Sequence, residues 1–146
     1  MLKIVGITII IIFFSQEALA EPKQLVCRTS VEYGVEWYSD MGDGEDVSKW
    51  REHCESGEAE YGFQVIYTLD TAGLSNSTMS NAEEQTTLGC GLLPLDVVSV
   101  TMSATPSIIT FKGKFNVDRK TLMAGYRAER PYTCKLQDVD TSENIL

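Results

Sequence analysis

The strongest constraint on the fold of this chain is a period-two alternation of apolar and polar residues between Ile108 and Leu136. Alternation with this period is typical of β-strands that bury one face. The apolar positions of the first two runs are Ile109, Phe111, Phe115, Leu122, Ala124, Tyr126 and Ala128. Pro131 then interrupts the pattern, and a further strand resumes it through Cys134. The stretch therefore predicts two strands folded back on each other and a third that ends near a cysteine.

The pattern also predicts a register for the hairpin. Pairing Asn116 with Thr121 leaves Val117–Lys120 as a four-residue loop, a common hairpin length. A slip of one residue would mix lysines with apolar side chains on the same face. In this register the core face carries Phe111, Phe115, Leu122 and Tyr126, and the outer face carries Lys112, Lys114 and Arg127.

Alternation recurs through most of the chain, and only one segment has helical spacing. The other predicted strands are Gln24–Val31, Tyr33–Trp37 (with Gly34 relieving a bend), Tyr61–Leu69, Gln85–Leu93 and Val98–Ser103. Asp46–Glu55 has apolar residues three and four apart, with Asp46 suited to be the N-cap. We therefore predict an all-β fold, a small antiparallel sandwich or partly open barrel with one short helix.

Two polar stretches separate these elements. Ser39–Glu45 is rich in glycine and aspartate, but its spacing does not fit a calcium-binding EF-hand loop, so a solvated acidic turn is the better interpretation. Thr71–Glu84 predicts a long surface loop, which is a possible binding loop. It contains the glycosylation sequon Asn76-Ser77-Thr78.

The first twenty residues have the layout of a secretory signal peptide. Lys3 precedes an eleven-residue apolar run, Ile4–Phe14, and Ala18-Leu19-Ala20 has the small residues of a cleavage site. An uncleaved membrane anchor is the alternative, but the apolar run is short for a helix that spans a bilayer. We expect residues 1–20 to be removed and residues 21–146 to form a single domain that is secreted or periplasmic.

Four cysteines remain in that domain: Cys27, Cys54, Cys90 and Cys134. An even count in an exported domain predicts two disulfides, for which three connectivities are possible. We favour Cys27–Cys134, which joins the first strand to the last, with Cys54–Cys90 inside that loop. A zinc site is disfavoured, because no two cysteines are closely spaced and the chain has one histidine.

The chain is acidic, with a formal net charge of −9. This charge disfavours nucleic acid and anionic membranes as partners. It permits attraction to a cationic partner, although acidity alone also keeps an exported protein soluble. The acidic residues concentrate before Asp96, and the segment from Thr101 onward is slightly basic.

Catalytic signals are weak. His53 is the one candidate for a catalytic base, and an exposed helix residue beside a disulfide is the better interpretation, since a base needs an oriented nucleophile. Paired carboxylates are abundant but unassigned. We predict no metal and no cofactor, and the enzyme question stays open, with a non-enzymatic role favoured.

The late motif F-x-x-D-R-x-T-L, from Phe115 to Leu122, precedes a C-x-L strand at Cys134, and a V-C pair stands early at Cys27. This arrangement resembles short uncharacterised exported bacterial β-proteins. In those proteins the motif is a hairpin turn and the late cysteine pairs with the early one, so the resemblance implies a structural role here and no activity. The layout is also similar to exported lysozyme inhibitors, which are disulfide-closed β-barrels, although their inhibitory loop motif is not found.

The function expected from the sequence is that of an exported binding or interaction domain for a protein or glycan, with an inhibitor-like module for a cationic partner as one form of it. The candidate binding residues are Asp43, Glu45, Asp46, Trp37 and Tyr38. Two alternatives stay open: a carboxylate-dependent hydrolase of an extracellular polymer, and a structural envelope protein. The oligomeric state is not predicted.

Overall fold

The computed structural model describes residues 22–42, 44–75, 79–126 and 128–139. The predicted signal peptide, Asp43 and the sequon at Asn76 lie outside the described residues. Within these ranges, no helix is long and apolar enough to cross a membrane.

The described residues form nine strands and two α-helices. The strands are β1 (Pro22–Arg28), β2 (Gln64–Asp70), β3 (Ser80–Leu88), β4 (Leu93–Pro94), β5 (Val98–Ala104), β6 (Ile108–Phe111), β7 (Phe115–Asp118), β8 (Met123–Tyr126) and β9 (Tyr132–Asp138). Both helices, α1 (Val31–Asp40) and α2 (Glu45–Glu55), lie between β1 and β2. Short 3₁₀ turns span Thr71–Leu74 and Gly89–Gly91.

Eight of the strands form a closed antiparallel barrel. The strands pair in chain order around the ring, from β1 to β2 and β3 and then through β5 to β9. The ring closes where β9 pairs with β1, which places Cys27 opposite Cys134. The two-residue strand β4 pairs with the end of β3, beyond the pairing of β3 with β5. The predicted all-β class is confirmed, and the architecture is a closed barrel.

Side chains fill the interior of the barrel, as in other small barrels. The rings of Tyr67 and Phe111 stack with centroids 3.6 Å apart and planes 3° apart. Phe115 packs beside Tyr67 at 5.6 Å. All three are fully buried, together with Leu25, Met102, Val65 and Val117. The inward faces predicted for the strands around Val65 and Met102 are confirmed.

The predicted register of the late hairpin was wrong. Phe111 pairs with Phe115 across a tight turn at Lys112–Lys114, and Phe115 pairs in turn with Tyr126. Lys112 and Gly113 both have positive φ, which is the conformation of a tight hairpin turn. Directly paired residues lie on the same face of a sheet, so Phe111 and Phe115 face the core on either side of the turn. They would also face the core if the chain ran straight from one to the other, and the alternation therefore does not reveal the turn. Phe111 and Phe115 are in the core as predicted, but Tyr126 is 43% exposed.

The F-x-x-D-R-x-T-L segment contains β7 and the turn that leads from β7 to β8. The Asp118 carboxylate accepts hydrogen bonds from the backbone N–H groups of Thr121 at 3.0 Å and Lys120 at 2.8 Å, and pairs with Arg130 at 3.1 Å. These contacts, the backbone N–H groups first, lower the pKa of Asp118 below its usual range. The Arg119 guanidinium donates to the carbonyl groups of Leu74 and Thr105. The motif therefore ties loops together at one end of the barrel.

The segment predicted as a strand from Tyr33 to Trp37 is helix α1. Ser30 is its N-cap, and the Ser30 hydroxyl accepts the Tyr33 N–H at 3.2 Å. Gly34 and Tyr38, four residues apart, are buried on one face of the helix. Apolar residues are so frequent between positions 31 and 38 that both periodicities fit, and the cap was the signal that sequence reasoning did not weigh.

The boundaries of β3 also differ from the sequence prediction. Thr71–Glu84 was expected to be a loop, but β3 begins at Ser80, and the predicted strand Gln85–Leu93 ends at Leu88. The inward residues of β3 include Ala82 and the carboxylate of Glu84, both buried. Alanine and glutamate at alternate positions are not typical of the buried face of a strand, so the sequence did not indicate that β3 begins at Ser80.

Both disulfides have the favoured connectivity, Cys27–Cys134 and Cys54–Cys90. The predicted helix carrying Cys54 is confirmed as α2. Its N-cap is Gly44, and Asp46 lies in the first turn. Two disulfides are consistent with an oxidising environment.

Candidate functional site

Helices α1 and α2 cover the barrel end at which β1 finishes and β2 begins. A second core cluster forms there, separate from the barrel interior and made of Tyr38, Cys54, Phe63 and Cys90. The Cys54–Cys90 disulfide joins α2 to the turn after β3. The helical cap is thus covalently attached to the barrel end.

Helix α1 is held closely against this cluster. A Cβ atom at Gly34 would lie 3.0 Å from the Cα of Gly62 and 3.2 Å from the Sγ of Cys90, so a larger residue there would push α1 away from the cluster. Farther along the helix, the buried hydroxyl of Tyr38 accepts the N–H of Gly89 at 2.7 Å. Burial raises the pKa of Tyr38, and its hydrogen bond to Gly89 opposes that shift. These contacts fix which face of α1 remains exposed.

The exposed face of α1 forms one wall of an aromatic cavity of about 430 Å³. The cavity is lined by Tyr33, Trp37, Phe63, Leu88, Tyr126, Glu129, Pro131 and Tyr132. Within it, Tyr33 and Trp37 stack with centroids 6.5 Å apart. Phe63 meets both rings edge-on, at 6.2 Å and 5.9 Å.

A second cavity, of about 580 Å³, adjoins the first along α1. It shares Tyr33, Trp37, Glu129 and Pro131 with the first cavity and adds Glu36, Asp40 and Arg130. We call the two together the aromatic cleft. Its walls are aromatic, and its rim carries three carboxylates, those of Glu36, Asp40 and Glu129.

Among the described residues that line the cleft, three carboxylates face one cation, Arg130, and the Arg130 guanidinium is engaged by Asp118 at 3.1 Å. Burial raises the pKa of the Tyr33 hydroxyl above its usual value, and the charges of Glu129 and Glu36 raise it further. The Tyr33 hydroxyl therefore lies in a negative potential, which would favour a cation in the cleft.

The residues chosen from the sequence fall in different places. Trp37 lines the cleft and is 49% exposed, whereas Tyr38 is buried and supports the helix. Glu45 and Asp46 belong to the first turn of α2, and Asp46 does not line the cleft. Asp43 lies outside the described residues.

Sequence reasoning missed the rim of the cleft. Glu36 and Asp40 are four residues apart on α1, and so are the aromatic residues Tyr33 and Trp37. This spacing would have indicated an aromatic and acidic helix face if the segment had been taken as a helix. Glu129 lies in the β8–β9 loop, and no sequence signal marked it.

The described residues provide little catalytic chemistry. No group of three or more metal-binding side chains occurs in the described ranges. His53, the candidate base, lies on α2 beside Lys49, Glu52 and Ser56 in a shallow depression. The Ser56 hydroxyl donates to the carbonyl group of His53 at 2.7 Å, so it caps the helix end. This geometry is that of a helix terminus.

The chain has no significant match among family models, curated proteins or solved structures.

Proposed function

We propose that this protein is an exported binding domain, and that the aromatic cleft receives a basic side chain of a cationic partner protein. The observation that carries the proposal is the combination of stacked aromatic rings with a rim of three carboxylates in one open cleft. The two disulfides and the predicted signal peptide support an exported location, either secreted or periplasmic.

The chemistry of the cleft favours a cation over a neutral ligand. Lysine and arginine heads are attracted to the faces of tryptophan and tyrosine, by about 0.5–1 kcal/mol at exposed sites and more where water is excluded. Carboxylates at the rim add charge-assisted hydrogen bonds to the same head group. A neutral sugar would use the aromatic rings but would gain little from an excess of negative charge.

The charge of the whole chain acts in the same direction. A net charge of −9 attracts a cationic protein over long range and accelerates its association, with an effect that salt screens. A partner of this kind, such as a lysozyme or a cationic antimicrobial peptide, presents many basic side chains for the cleft.

The hydrolase alternative would also use carboxylates beside aromatic rings, but Glu36, Asp40 and Glu129 are all exposed, whereas a general acid is typically shielded from water. Among the described residues, Glu84 is the one fully buried carboxylate, and Lys112 pairs with it at 2.6 Å. A purely structural role in the envelope would not explain the open cleft. Clustered exposed aromatic rings are uncommon on a surface that binds no partner.

The experiment is a binding titration with lysozyme as a cationic probe and lysine-acetylated lysozyme as its control. The cleft variant carries Glu36→Gln, Asp40→Asn and Glu129→Gln. A matched variant carries Asp43→Asn, Glu45→Gln and Asp46→Asn, which removes the same charge from the acidic residues selected on the sequence. We expect the cleft variant to weaken binding at least about tenfold and the matched variant to change it much less.

A third variant, Trp37→Ala, separates the cleft from general electrostatics. It leaves the charge unchanged and removes an aromatic face, so we expect this variant to bind about two- to fivefold more weakly than the parent chain. If both triple variants weaken binding equally and Trp37→Ala has no effect, the attraction is only that of an acidic surface. If acetylated and native lysozyme bind alike, the proposed cation chemistry is wrong.

A further inference from the structure

A second groove lies on the outer face of the barrel, where β9, β1 and β2 pair side by side. Two adjacent rows of directly paired residues form it: Lys135, Val26 and Ile66 in one row, and Thr133, Arg28 and Gln64 in the other. Paired residues, and residues two apart in one strand, share a face of a sheet. Because Cys27 is in the barrel core, these six side chains point outward. They line a cavity of about 400 Å³, which we call the sheet groove.

The sheet groove is cationic although the chain is acidic. The whole chain has 21 acidic and 12 basic residues, yet among the described residues that line the groove there are two cations, Arg28 and Lys135, and no carboxylate. Within the described ranges, neither cation forms an ion pair. The groove therefore has a local charge opposite to that of the chain.

The two cations are close neighbours. Arg28 pairs directly with Thr133, so Lys135, two residues farther along β9, is its diagonal neighbour on the same face. Backbones of such diagonal neighbours are about 7–8 Å apart. Like charges at this separation repel each other, and an anion bound between them would remove the repulsion.

The guanidinium group of Arg28 is held in one orientation. Its Nε donates to Oε1 of Gln64 at 2.6 Å, and its centre lies 4.6 Å from the centroid of the Tyr61 ring. Gln64 is itself only 9% exposed. In the described part of the chain, no hydrogen-bond partner occupies the terminal nitrogens Nη1 and Nη2 of Arg28. A pre-oriented guanidinium fork of this kind matches the two oxygens of a carboxylate.

The rest of the groove suits a ring that carries hydroxyl groups. Val26 and Ile66 form an apolar floor, on which the C–H face of a sugar ring can pack. The Thr133 hydroxyl and the Gln137 amide, which also lines the groove, offer hydrogen bonds to ligand hydroxyls. Ligand sites measure about 300–1,000 Å³, so this groove has the size for a single ring.

The net charge of the chain limits the ligand to one with few charges. A net charge of −9 repels a dense polyanion over long range. Salt at roughly 0.15 M screens exposed charges that are more than about 8 Å apart. A ligand with one isolated carboxylate therefore interacts mainly with the two cations that it touches.

We propose that the sheet groove binds a sugar acid, a hydroxylated ring with one carboxylate such as a hexuronate, either free or as a residue of a glycan. The carboxylate binds the terminal nitrogens of Arg28 and the ammonium group of Lys135, and the ring packs on Val26 and Ile66. This site is separate from the aromatic cleft and does not rest on the function proposed for the cleft.

The test is a nuclear magnetic resonance titration of the ¹⁵N-labelled, oxidised full domain with methyl β-glucuronoside. Its control is the methyl ester of the same glucuronoside, which keeps the ring and removes the charge. We expect the amides of Val26, Arg28 and Lys135 to shift, and the ester to bind at least about tenfold more weakly. Equal affinities for acid and ester, or no shift at these amides, would overturn the site.

Two further probes define the class of ligand. N-acetylglutamate amide presents the carboxylate of a protein without a sugar ring, and we expect it to bind at least about threefold more weakly than the glucuronoside. Equal or tighter binding of this amino acid would overturn the sugar-acid assignment in favour of an acidic protein segment. Under the proposal, a tetrasaccharide with alternating glucuronate residues that binds more tightly than the monosaccharide identifies a glycan, and equal binding identifies a free or terminal sugar acid.

Variants separate the groove from general electrostatics. Arg28→Lys keeps the charge and loses the fork, so we expect about tenfold weaker glucuronoside binding. Lys135→Gln should weaken it about fivefold, and the matched variant Lys49→Gln on α2 less than about twofold. Both groove cations are exposed, so the melting temperature should stay near that of the parent chain. Equal losses for Lys135→Gln and Lys49→Gln, or unchanged binding by Arg28→Lys, would contradict the proposed contacts.

The outcome for the groove is independent of the outcome for the cleft. Among the described residues, the two cavities of the cleft and the sheet groove share no lining side chain. A failed glucuronoside titration therefore overturns the sheet groove alone, and a failed lysozyme titration overturns the cation site alone.

Discussion

The pairing of Lys112 with Glu84 makes a sharp prediction about stability. The Glu84 side chain is 5% exposed and its Oε1 lies 2.6 Å from the ammonium group of Lys112, which is 39% exposed. The second oxygen, Oε2, is buried, and burial together with the adjacent Glu84 carboxylate raises the pKa of the Tyr67 hydroxyl. Replacing Lys112 with methionine keeps most of the aliphatic stem and leaves this carboxylate without its cation.

The magnitude follows from the burial of the two partners. Removing one partner of a fully buried ion pair costs about 3–5 kcal/mol, because the remaining charge is left uncompensated. Lys112 is more than one-third exposed, so solvent already screens part of the interaction. We therefore expect Lys112→Met to lower the free energy of unfolding by about 2–3 kcal/mol at neutral pH.

The assay is urea unfolding of the oxidised protein, with a double-mutant cycle as control. Glu84→Gln removes the charge but keeps the size of the side chain, so in its background Lys112→Met should cost much less. The expected coupling is at least about 1 kcal/mol, above the roughly 0.3–0.5 kcal/mol scatter of independent sites. Additive effects within that scatter would refute the reasoning and show that Lys112 does not stabilise the buried Glu84 carboxylate.

Three further outcomes are expected. The pKa of Asp118 is lowered in the folded chain, so its charged form stabilises the fold above about pH 4. This stabilisation is lost as the pH falls through the pKa of the folded state. In urea unfolding between about pH 2 and 6, the free energy of unfolding should therefore fall less steeply with acidification for Asp118→Asn than for the parent chain. Gly62→Ala should prevent soluble expression or lower the melting temperature by several degrees, since a Cβ there would overlap the carbonyl oxygen of Ser30; an unchanged melting temperature contradicts this. Replacing Cys54 and Cys90 by serine should abolish binding to the lysozyme probe, because that disulfide joins the helical cap to the barrel. The far-UV circular dichroism of this variant should keep its β-sheet signal. Unchanged binding would show that the cap does not position the cleft.

Much of the barrel could be predicted from the sequence, because its strands alternate strictly and its cysteines are few. The inward residues around Val65, Met102 and Phe111 follow directly from period two. The exact pairing could not be predicted, since a tight turn between Phe111 and Phe115 preserves the alternation of a straight strand. The end of β3 is set by the turn around Cys90, whose φ of 56° is a local conformation that alternation does not encode.

The cleft was the least predictable part, for a physical reason. It is assembled from α1, the start of β2, the end of β3 and the β8–β9 loop, and these come together only once the barrel closes. Trp37 was identified as an exposed aromatic residue, but its neighbours Glu36 and Asp40 looked like ordinary solvated charges. The assignment of α1 as a strand concealed that these three residues share one side of a helix.

The most direct test of the cleft is a nuclear magnetic resonance titration of the ¹⁵N-labelled domain with a lysine-rich decapeptide. The decapeptide with all lysines acetylated is the control. Binding in the cleft should shift the indole N–H of Trp37 and the amides of α1 and Glu129, while α2 around Asp46 stays unchanged. Shifts centred on Asp46 and the preceding acidic turn, or equal shifts with the acetylated peptide, would contradict a cation site between α1 and the β8–β9 loop.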